Sequence, residues 1–247
     1  QRPEVHNAFN PEMIAELTEA FLATHDPEFD CSVVLLRGEG KSFCSGADLG
    51  WMQSMAKFSF DENKEDSEKL YQLFYFLRGC PVPVVGILHG HVMGGAVGLA
   101  ACCDIALADE QTQFCLSEVR LGLVPSVISP FLAEKIHTSF LHRYALTAEV
   151  FSATDALHAG LVHFVGSRAD LESQLAKIKS RILNNGVIAM KETKALLRFL
   201  GTNPTWPEIR GKTTKVIAER RVSAEGQEGL RSFFEKRKPS WARGDSK

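Results

Sequence analysis

The spacing of apolar residues predicts helices near the start of the chain and throughout its last third. Asn10, followed by Pro11 and Glu12, is typical of a helix N-terminus, and apolar residues then recur at helical spacing to about residue 24. The same spacing, ended by glycine and proline, predicts a second helix over 62–77. From residue 170 onward the pattern predicts helices alone, over 171–183, 188–200, 206–220 and 224–237.

Short, unbroken apolar runs predict buried strands. They cover residues 32–36, 84–88, 105–107 and 161–165. A helix of small residues is predicted over 96–102, and a capping-box pattern predicts another that ends at Gly160. Strands that alternate with helices and are followed by helices alone indicate an α/β fold. We therefore predict a core over 1–165 that holds the active site, and a helical region over 166–247.

The composition and net charge of the chain argue against nucleic acid and membranes as partners. The chain has 247 residues, of which 45% are hydrophobic and 23% charged, and a formal net charge of -2 at pH 7. This balance gives no broad cationic surface for nucleic acid or for an anionic membrane. The longest apolar stretch, residues 82–88, is far shorter than the roughly 20 residues of a membrane-spanning helix. We therefore expect a soluble protein with neither nucleic acid nor membrane as a partner.

The cysteines and the N-terminus give expectations about where in the cell the protein is located. Six cysteines are scattered among apolar residues, without the density of a disulfide framework, which predicts reduced core thiols in a cytoplasmic protein. The chain begins at Gln1, and its first residues resemble the interior of a domain, so we expect further residues upstream. Whether these include a leader stays open.

Two glycine-containing segments place backbone amides where a core does not need them. Residues 42–49 (SFCSGADL) follow a predicted strand and turn, and residues 89–96 (HGHVMGGA) lie between a strand and a helix. Glycine lets the backbone turn tightly and approach a ligand, and free N–H groups at a helix N-terminus face negative charge. Taken alone, either segment is better explained by a structural turn. Two such amides together can hold an enolate oxygen, which predicts an oxyanion hole.

With the residues that follow them, these segments resemble the enoyl-CoA hydratase, or crotonase, family. The similarity includes CDIALA at 103–108 and FCLSEVRLGLVP at 114–125, and it runs from residues 2–10 to residues 228–239. The resemblance implies a spiral of ββα units with a C-terminal helical region that packs into homotrimers, often paired as hexamers. It also implies an acyl-CoA thioester as substrate, with no cofactor beyond the coenzyme A of that substrate and no metal.

The resemblance assigns roles to particular residues. It makes the N–H groups of Ser45 and Gly95 the oxyanion hole, and Glu118 the acid–base group at carbon 2 of the acyl chain. Apolar neighbours of Glu118 predict a raised pKa for its carboxyl. The implied contacts to the acyl-CoA are Ser45, Gly46, Ala47, Asp48, Leu49, Gly94, Gly95, Phe233 and Lys236. A plain amphipathic helix explains Phe233 and Lys236 about equally well.

One position departs from the family pattern. Hydratases of the family carry a second glutamate in the helix after the glycine turn, and here that position is Gly98. Hydration needs one group to activate water and one to deliver a proton, which paired carboxylates do most directly. In a first hypothesis Glu118 alone performs both steps; in a second it moves a proton between carbons 2 and 4 as a Δ3,Δ2-enoyl-CoA isomerase; in a third the protein binds an acyl-CoA with little turnover. The candidates to assist Glu118 in hydration are Ser126, Ser129 and His91.

Local detail favours hydration. Residues 46–52, 94–99 and 127–130 resemble the bacterial branch assigned as methylglutaconyl-CoA or carboxygeranoyl-CoA hydratases. A carboxylated acyl chain needs a cation. The candidates, each of which is otherwise a solvated surface charge, are Lys57, Arg120, Lys135 and His137. We therefore predict a trimeric or hexameric lyase that adds water to a 2-enoyl-CoA.

Other features have structural explanations or exclude other classes. Trp51 and Met52 are predicted to line the acyl pocket or the core, while His89 and His91 are predicted to shape the pocket. The sequence has no metal-ligand spacing, no Walker loop, no GxGxxG and no GxSxG motif. A nucleotide-driven motor, a dehydrogenase and a serine hydrolase are therefore disfavoured.

Overall fold

The computed structural model describes residues 1–26 and 28–243, and the chain forms two compact units. The first comprises Gln1–Phe29, Leu35–Cys80 and Val84–Ser173, and the second comprises Asp30–Val34, Pro81–Pro83 and the C-terminal part from Gln174. The strands lie almost wholly in the first unit, and the C-terminal part of the second is helical.

The strands of the described residues form two sheets. The larger has the order β1 (Val34–Arg37), β2 (Val84–Leu88), β4 (Ile105–Asp109) and β7 (Phe164–Gly166). The smaller has the order β3 (His91–Met93), β5 (Gln113–Cys115) and β6 (Phe151–Ser152). Strand β4 pairs in parallel with β2 and β7, and β5 pairs in parallel with β3 and antiparallel with β6. The site described below lies at one edge of the smaller sheet.

The strands repeat in pairs along the chain. Strands β2 and β3 are consecutive but belong to different sheets, and β4 and β5 repeat this division. Val85 pairs with Ile105 in the larger sheet, and Val92 pairs with Phe114 in the smaller one, so the second pair of strands stacks on the first. Helix α4 (Gly95–Cys102) follows the first pair. The predicted α/β fold is confirmed, and these strands form the ββα spiral that the resemblance implies.

Helix ends in the first unit follow local chemistry. The side chain of Asn10 accepts a hydrogen bond from Met13 N–H at 2.9 Å at the start of α1, and Ser59 and Glu62 form a capping box at the start of α3. Helix α4 consists of small and apolar residues that are nearly all fully buried, and it packs against α3 and α5. The other helices of this unit are α1 (Pro11–Ala23), α2 (Leu49–Met55), α3 (Phe60–Gly79), α5 (Ser129–Lys135), α6 (Thr138–Thr147) and α7 (Ala153–His158). Helix α8 (Arg168–Leu183) begins in the first unit, and its residues from Gln174 belong to the second.

The second unit contains α9 (Val187–Leu200), α10 (Trp206–Val222) and α11 (Ala224–Phe234), which contact one another. Glu225 of α11 accepts hydrogen bonds from the N–H groups of Ile188 and Ala189 at 3.0 and 2.8 Å, and so caps the exposed start of α9. Arg237 binds the Glu228 carboxylate through two nitrogens and lowers its pKa to about 2. No helix among the described residues is long and apolar enough to cross a membrane.

The long helices and the buried strand over 84–88 lie where they were predicted. The strand expected over 161–165 lies instead at Phe164–Gly166. Helices α2, α5 and α6 and the short strands β3, β5 and β6 were not predicted. All but α6 span seven residues or fewer, too few for a clear apolar period. All six cysteines are free thiols and five are buried, as expected of core residues.

Candidate active site

Three parallel chain segments end at one edge of the smaller sheet. Cys44 pairs with Val92 in a parallel bridge, and Met93 pairs with Cys115 in the parallel strands β3 and β5. The N–H of Gly94 donates to the Cys115 carbonyl at 2.8 Å and extends this pairing by one residue. The three segments that follow therefore leave the sheet side by side, and they hold the predicted site residues.

The free amide in the first segment belongs to Ala47. The N–H of Ser45 donates to the His6 carbonyl at 3.0 Å, so it is already occupied. Phe9 binds the turn on either side of Ala47, through its own N–H and its carbonyl, each at 2.7 Å. Between these two bonds, the N–H of Ala47 has no acceptor among the described residues. This geometry corrects the prediction that the Ser45 amide is half of an oxyanion hole.

The amide of Gly95 is free in the second segment. Gly95 is the first residue of α4, where backbone N–H groups have no partner within the helix, and no described residue accepts from it. Gly94 precedes it with a φ of +53°, a conformation that favours glycine. A Cβ at Gly94 would lie 3.4 Å from Oε1 of Glu118, and one at Gly95 would lie 3.2 Å from the ring of Phe9. Glycine therefore lets the carboxylate approach the turn that carries the Gly95 amide.

Glu118 supplies the ionisable group of the site. It begins a 3-10 helix (Glu118–Leu121) three residues after β5 ends. Its Oε2 atom is buried and has no hydrogen-bond partner among the described residues. Burial raises the pKa of the Glu118 carboxyl above its ordinary value of 4.5. A partly desolvated carboxylate with one unpartnered oxygen, near a free amide, is typical of a group that exchanges protons with a ligand.

The raised pKa gives a test of this group by pH dependence. A carboxyl with a raised pKa loses its charge at a higher pH than an ordinary glutamate. We therefore expect kcat/KM to fall tenfold per pH unit on the acidic side, with a midpoint above 4.5, when Glu118 acts as the base. Steady-state rates between pH 4 and 9 measure this midpoint. A rate that stays constant down to pH 4.5 would contradict the assignment.

Apolar side chains occupy the position of the missing second glutamate. Gly98 is buried in α4, and a Cβ there would lie 2.6 Å from Cγ2 of Ile128 and 3.0 Å from Cε1 of Phe74. Van der Waals contact requires about 3.5–4.0 Å between carbon atoms. No side chain fits at position 98 without movement of its neighbours. The difference from two-carboxylate hydratases is thus built into the packing, which the sequence alone did not show.

The segment expected to bind coenzyme A forms a turn and the start of α2. Gly46 has a φ of +95°, and Asp48 caps α2 by accepting hydrogen bonds from the N–H groups of Gly50 and Trp51. Arg2 forms an ion pair with Asp48 at 3.1 Å. Hydrogen bonds and this ion pair lower the pKa of the Asp48 carboxyl. Asp48 thus stabilises the loop; Leu49, beside it, is exposed.

Two of the four candidate cations are engaged elsewhere. Arg120 donates to the Ala148 carbonyl at 2.6 Å, and Lys135 donates to the Cys103 carbonyl at 3.0 Å. Lys57 and His137 are exposed. Lys57 and His137 are therefore freer to bind a ligand carboxylate than Arg120 and Lys135 are.

The residues proposed to assist Glu118 also differ in their surroundings. Ser129 donates to the Pro125 carbonyl at 2.6 Å, whereas Ser126 is exposed. The His91 ring lies 3.2 Å from the buried hydroxyl of Ser42. His89 lies 3.1 Å from the Gly40 carbonyl, through its Nε2 atom. These contacts favour structural roles for the two histidines.

The C-terminal pair belongs to the second unit. Phe233 is 76% exposed at the end of α11, and Lys236 follows with a φ of 52°. Their contact with coenzyme A stays a prediction.

The two residues predicted to line the acyl pocket or the core lie in α2, where Trp51 is buried and Met52 is half-buried. No cluster of three or more His, Cys, Asp or Glu with metal-binding geometry occurs within residues 1–26 and 28–243.

The ββα spiral is typical of the crotonase class of fold, and here two free amides and the half-buried Glu118 carboxylate lie at the same sheet edge. Solved structures agree. An enoyl-CoA hydratase from Shewanella pealeana matches with a TM-score of 0.92 and 40% identity, over 97% of this chain and 89% of that chain. An enoyl-CoA hydratase/isomerase from Marinobacter aquaeolei matches with a TM-score of 0.92 and 30% identity, over 98% of this chain and 94% of that chain.

Sequence comparison gives the family. A profile of the enoyl-CoA hydratase/isomerase family matches residues 1–244. The crotonyl-CoA hydratase of Syntrophomonas wolfei is 27% identical over 260 residues, which cover 97% of this chain and 91% of the relative. The chain belongs to the enoyl-CoA hydratase/isomerase family and is an enoyl-CoA hydratase-like enzyme.

Proposed function

We propose that this enzyme hydrates a 2-enoyl-CoA thioester with Glu118 as its only acid–base carboxylate. The observation that carries the proposal is the Glu118 carboxylate: its Oε2 is buried without a partner, and its Oε1 lies against Gly94, in the turn that bears the free Gly95 amide. The free amide of Ala47, rather than that of Ser45, is the second donor of the proposed oxyanion hole. The relatives named as hydratases support the direction of the chemistry.

The proposed reaction needs one carboxylate and two amides. The thioester oxygen accepts hydrogen bonds from Ala47 and Gly95, which makes carbon 3 of the enoyl group electrophilic. Glu118 removes a proton from water as the water oxygen bonds to carbon 3, and the electrons of the double bond move toward the thioester as an enolate. Glu118 then returns a proton to carbon 2. Donors that are fixed in place before the charge develops stabilise the enolate without reorganisation.

A second candidate is the isomerisation of a 3-enoyl-CoA to a 2-enoyl-CoA. The packing around Gly98 favours it, because Ile128 and Phe74 fill the place of a second carboxylate. In that reaction Glu118 removes a proton from carbon 2 and returns it to carbon 4. Isomerisation needs no activated water, so a single carboxylate suffices.

Two substrates distinguish these functions. We expect purified enzyme to remove the conjugated thioester absorbance of a 2-enoyl-CoA, as water adds across the double bond. With a 3-enoyl-CoA we expect no gain of that absorbance. The reverse result, a gain with the 3-enoyl-CoA and no loss with the 2-enoyl-CoA, would replace hydration by isomerisation. Binding of both without conversion would indicate an acyl-CoA-binding protein.

We propose that the acyl chain of the substrate is branched or carboxylated. The resemblance of residues 46–52 and 127–130 to methylglutaconyl-CoA-type hydratases supports a branched or carboxylated substrate. Lys57 and His137 are the cations left to meet a distal carboxylate, because Arg120 and Lys135 bind backbone carbonyls. A panel of straight, branched and carboxylated 2-enoyl-CoA substrates tests this proposal.

We further propose that the protein forms a homotrimer or a dimer of trimers in the cytoplasm. In this proposal Phe233 and Lys236 contact coenzyme A.

A further inference from the structure

Helix α3 packs against the segment that holds the Gly95 amide. Phe74 of α3 is fully buried. Its ring lies 3.9 Å from the position of a Cβ at Gly95 and 3.0 Å from that of a Cβ at Gly98. The first turn of α4, which carries the Gly95 N–H, therefore packs against this side chain as well as against Phe9.

The same helix binds the segment that holds the Ala47 amide. Helix α2 begins at Leu49, two residues after Ala47, and contains Trp51, which is 7% exposed. The indole Nε1–H of Trp51 donates to Oδ1 of Asp66 on α3 at 3.1 Å. A buried indole N–H requires such a partner. This hydrogen bond ties α2 to α3.

Helix α2 depends on this tie because it is short. It has seven residues, and isolated helices of that length are unstable in water. Asp48 and Phe9 hold its start, and the Trp51–Asp66 hydrogen bond adds a contact one turn farther along. Asp66 and Phe74 lie eight positions apart on one helix, which at 1.5 Å per residue separates them by about 12 Å. A single helix thus contacts both amide-bearing segments, in addition to Phe9.

We propose that Asp66 is a positioning residue: through Trp51 and α2 it fixes the Ala47 amide relative to the Gly95 amide. This inference rests on the proposed function, in which both amides bind the thioester oxygen. Loss of the hydrogen bond leaves the side chains at the reacting atoms unchanged but lets α2 move. A displacement of about 1 Å at a reacting group can cost on the order of a hundredfold in rate.

Four variants test the inference by kinetics. Asp66→Ala removes the acceptor, Asp66→Asn keeps an acceptor oxygen, and Trp51→Phe removes the donor but keeps an aromatic ring. We expect kcat to fall about tenfold to a hundredfold in Asp66→Ala and Trp51→Phe, with a smaller change in KM. The kcat of Asp66→Asn should stay within about threefold of the wild-type value. The double variant Asp66→Ala/Trp51→Phe should lose no more kcat than either of its single variants, because both break the same hydrogen bond. The control is Glu65→Ala, which removes an exposed ion pair with Lys69 on the same helix and should leave kcat unchanged.

A spectroscopic measurement separates positioning from a loss of folding. An aryl-conjugated enoyl-CoA absorbs at longer wavelength when hydrogen bonds polarise its carbonyl. We expect this red shift on binding to Glu118→Gln enzyme, which holds the ligand without turnover, and a smaller shift when Asp66→Ala is added. Equal shifts, or equal kcat in Asp66→Ala and wild type, would overturn the inference, as would an Asp66→Asn variant as slow as Asp66→Ala. Should Asp66→Ala not fold, Trp51→Phe and Asp66→Asn decide. Wild-type enzyme with no activity on either enoyl-CoA would reject the proposed function instead.

Discussion

Replacing Glu118 by glutamine is expected to lower kcat by about a thousandfold or more, while the Kd of a saturated acyl-CoA stays within a few-fold of the wild-type value. General acid–base groups contribute roughly 10²–10⁴ to rates, and here one carboxylate carries both proton transfers. Glutamine keeps the size and polarity of the side chain but cannot accept and return a proton. Stopped assays with 2-enoyl-CoA and calorimetric titration with a saturated acyl-CoA measure the two quantities.

The stability of this variant provides an internal check. Burial raises the pKa of Glu118, so the folded state favours the protonated form. The contribution of such a group to stability is present below its unfolded-state pKa and is lost as the pH rises through its folded-state pKa. At pH 7 the ionised carboxylate therefore costs stability, and we expect Glu118→Gln to melt at the same temperature as the wild type or higher. A lost activity with a retained or raised Tm indicates chemistry rather than unfolding.

Glu110→Gln is the matched control for this experiment. Glu110 is an exposed acid in the turn after β4, and the same substitution there should change neither kcat nor Tm. Hydration at the wild-type rate by Glu118→Gln would remove Glu118 from the mechanism. A comparable loss in Glu110→Gln would show that the effect is not specific to the Glu118 carboxylate.

Installing the missing glutamate, Gly98→Glu, is expected to abolish folding rather than to create a two-carboxylate site. A Cβ alone would lie 2.6 Å from Ile128, so even Gly98→Ala should cost about 1–3 kcal/mol from overpacking. For a chain of this size that lowers Tm by about 2–4 °C per kcal/mol. Glutamate adds a carboxylate among apolar side chains, which is several-fold more costly. Thermal melts and the yield of soluble protein measure both variants.

A second helical glycine gives the control for the glycine substitution. Gly211 lies in α10, and a Cβ there would meet no atom within 4 Å. Gly211→Ala should therefore stabilise the protein by about 0.4–1 kcal/mol, the opposite sign to Gly98→Ala. Adding Ile128→Ala to Gly98→Ala removes Cγ2, the nearest clashing atom, so the double variant should lose less than the sum of the two single changes. Folded Gly98→Glu enzyme with wild-type Tm would contradict this account of the packing.

A single carboxylate would limit what the enzyme can do. Ile128 and Phe74 occupy the place of a second acid, so in the proposed hydration Glu118 activates the water. A syn addition, in which the proton that Glu118 removes from water is the one it returns, is compatible with this arrangement. Conversion of the 2-enoyl-CoA or of the 3-enoyl-CoA decides whether an enzyme with this packing at Gly98 catalyses hydration or isomerisation.

Local sequence signals determined much of the fold. Asn10 caps α1, as predicted from its side chain and the proline after it, and Ser152 caps α7 through the predicted capping box. These signals act over three or four residues, so they can be read without knowledge of the rest of the molecule. The glycine turn at Gly94 and Gly95 lies at the start of α4, again as predicted. Its positive φ is a local property of the backbone.

Other features depended on residues that are distant in sequence. Ser45 and Ala47 are two positions apart, and only the His6 carbonyl, which binds one of them, shows which amide is free. The space at Gly98 is set by Ile128 and Phe74, which lie 30 residues after it and 24 before it. The unpartnered Oε2 of Glu118 likewise appears only once β3 and β5 are paired. The sequence by itself thus determined the class of fold, the helix caps and the glycine turn, because these depend on neighbouring residues. Tertiary packing decided which groups are left unpaired for a ligand.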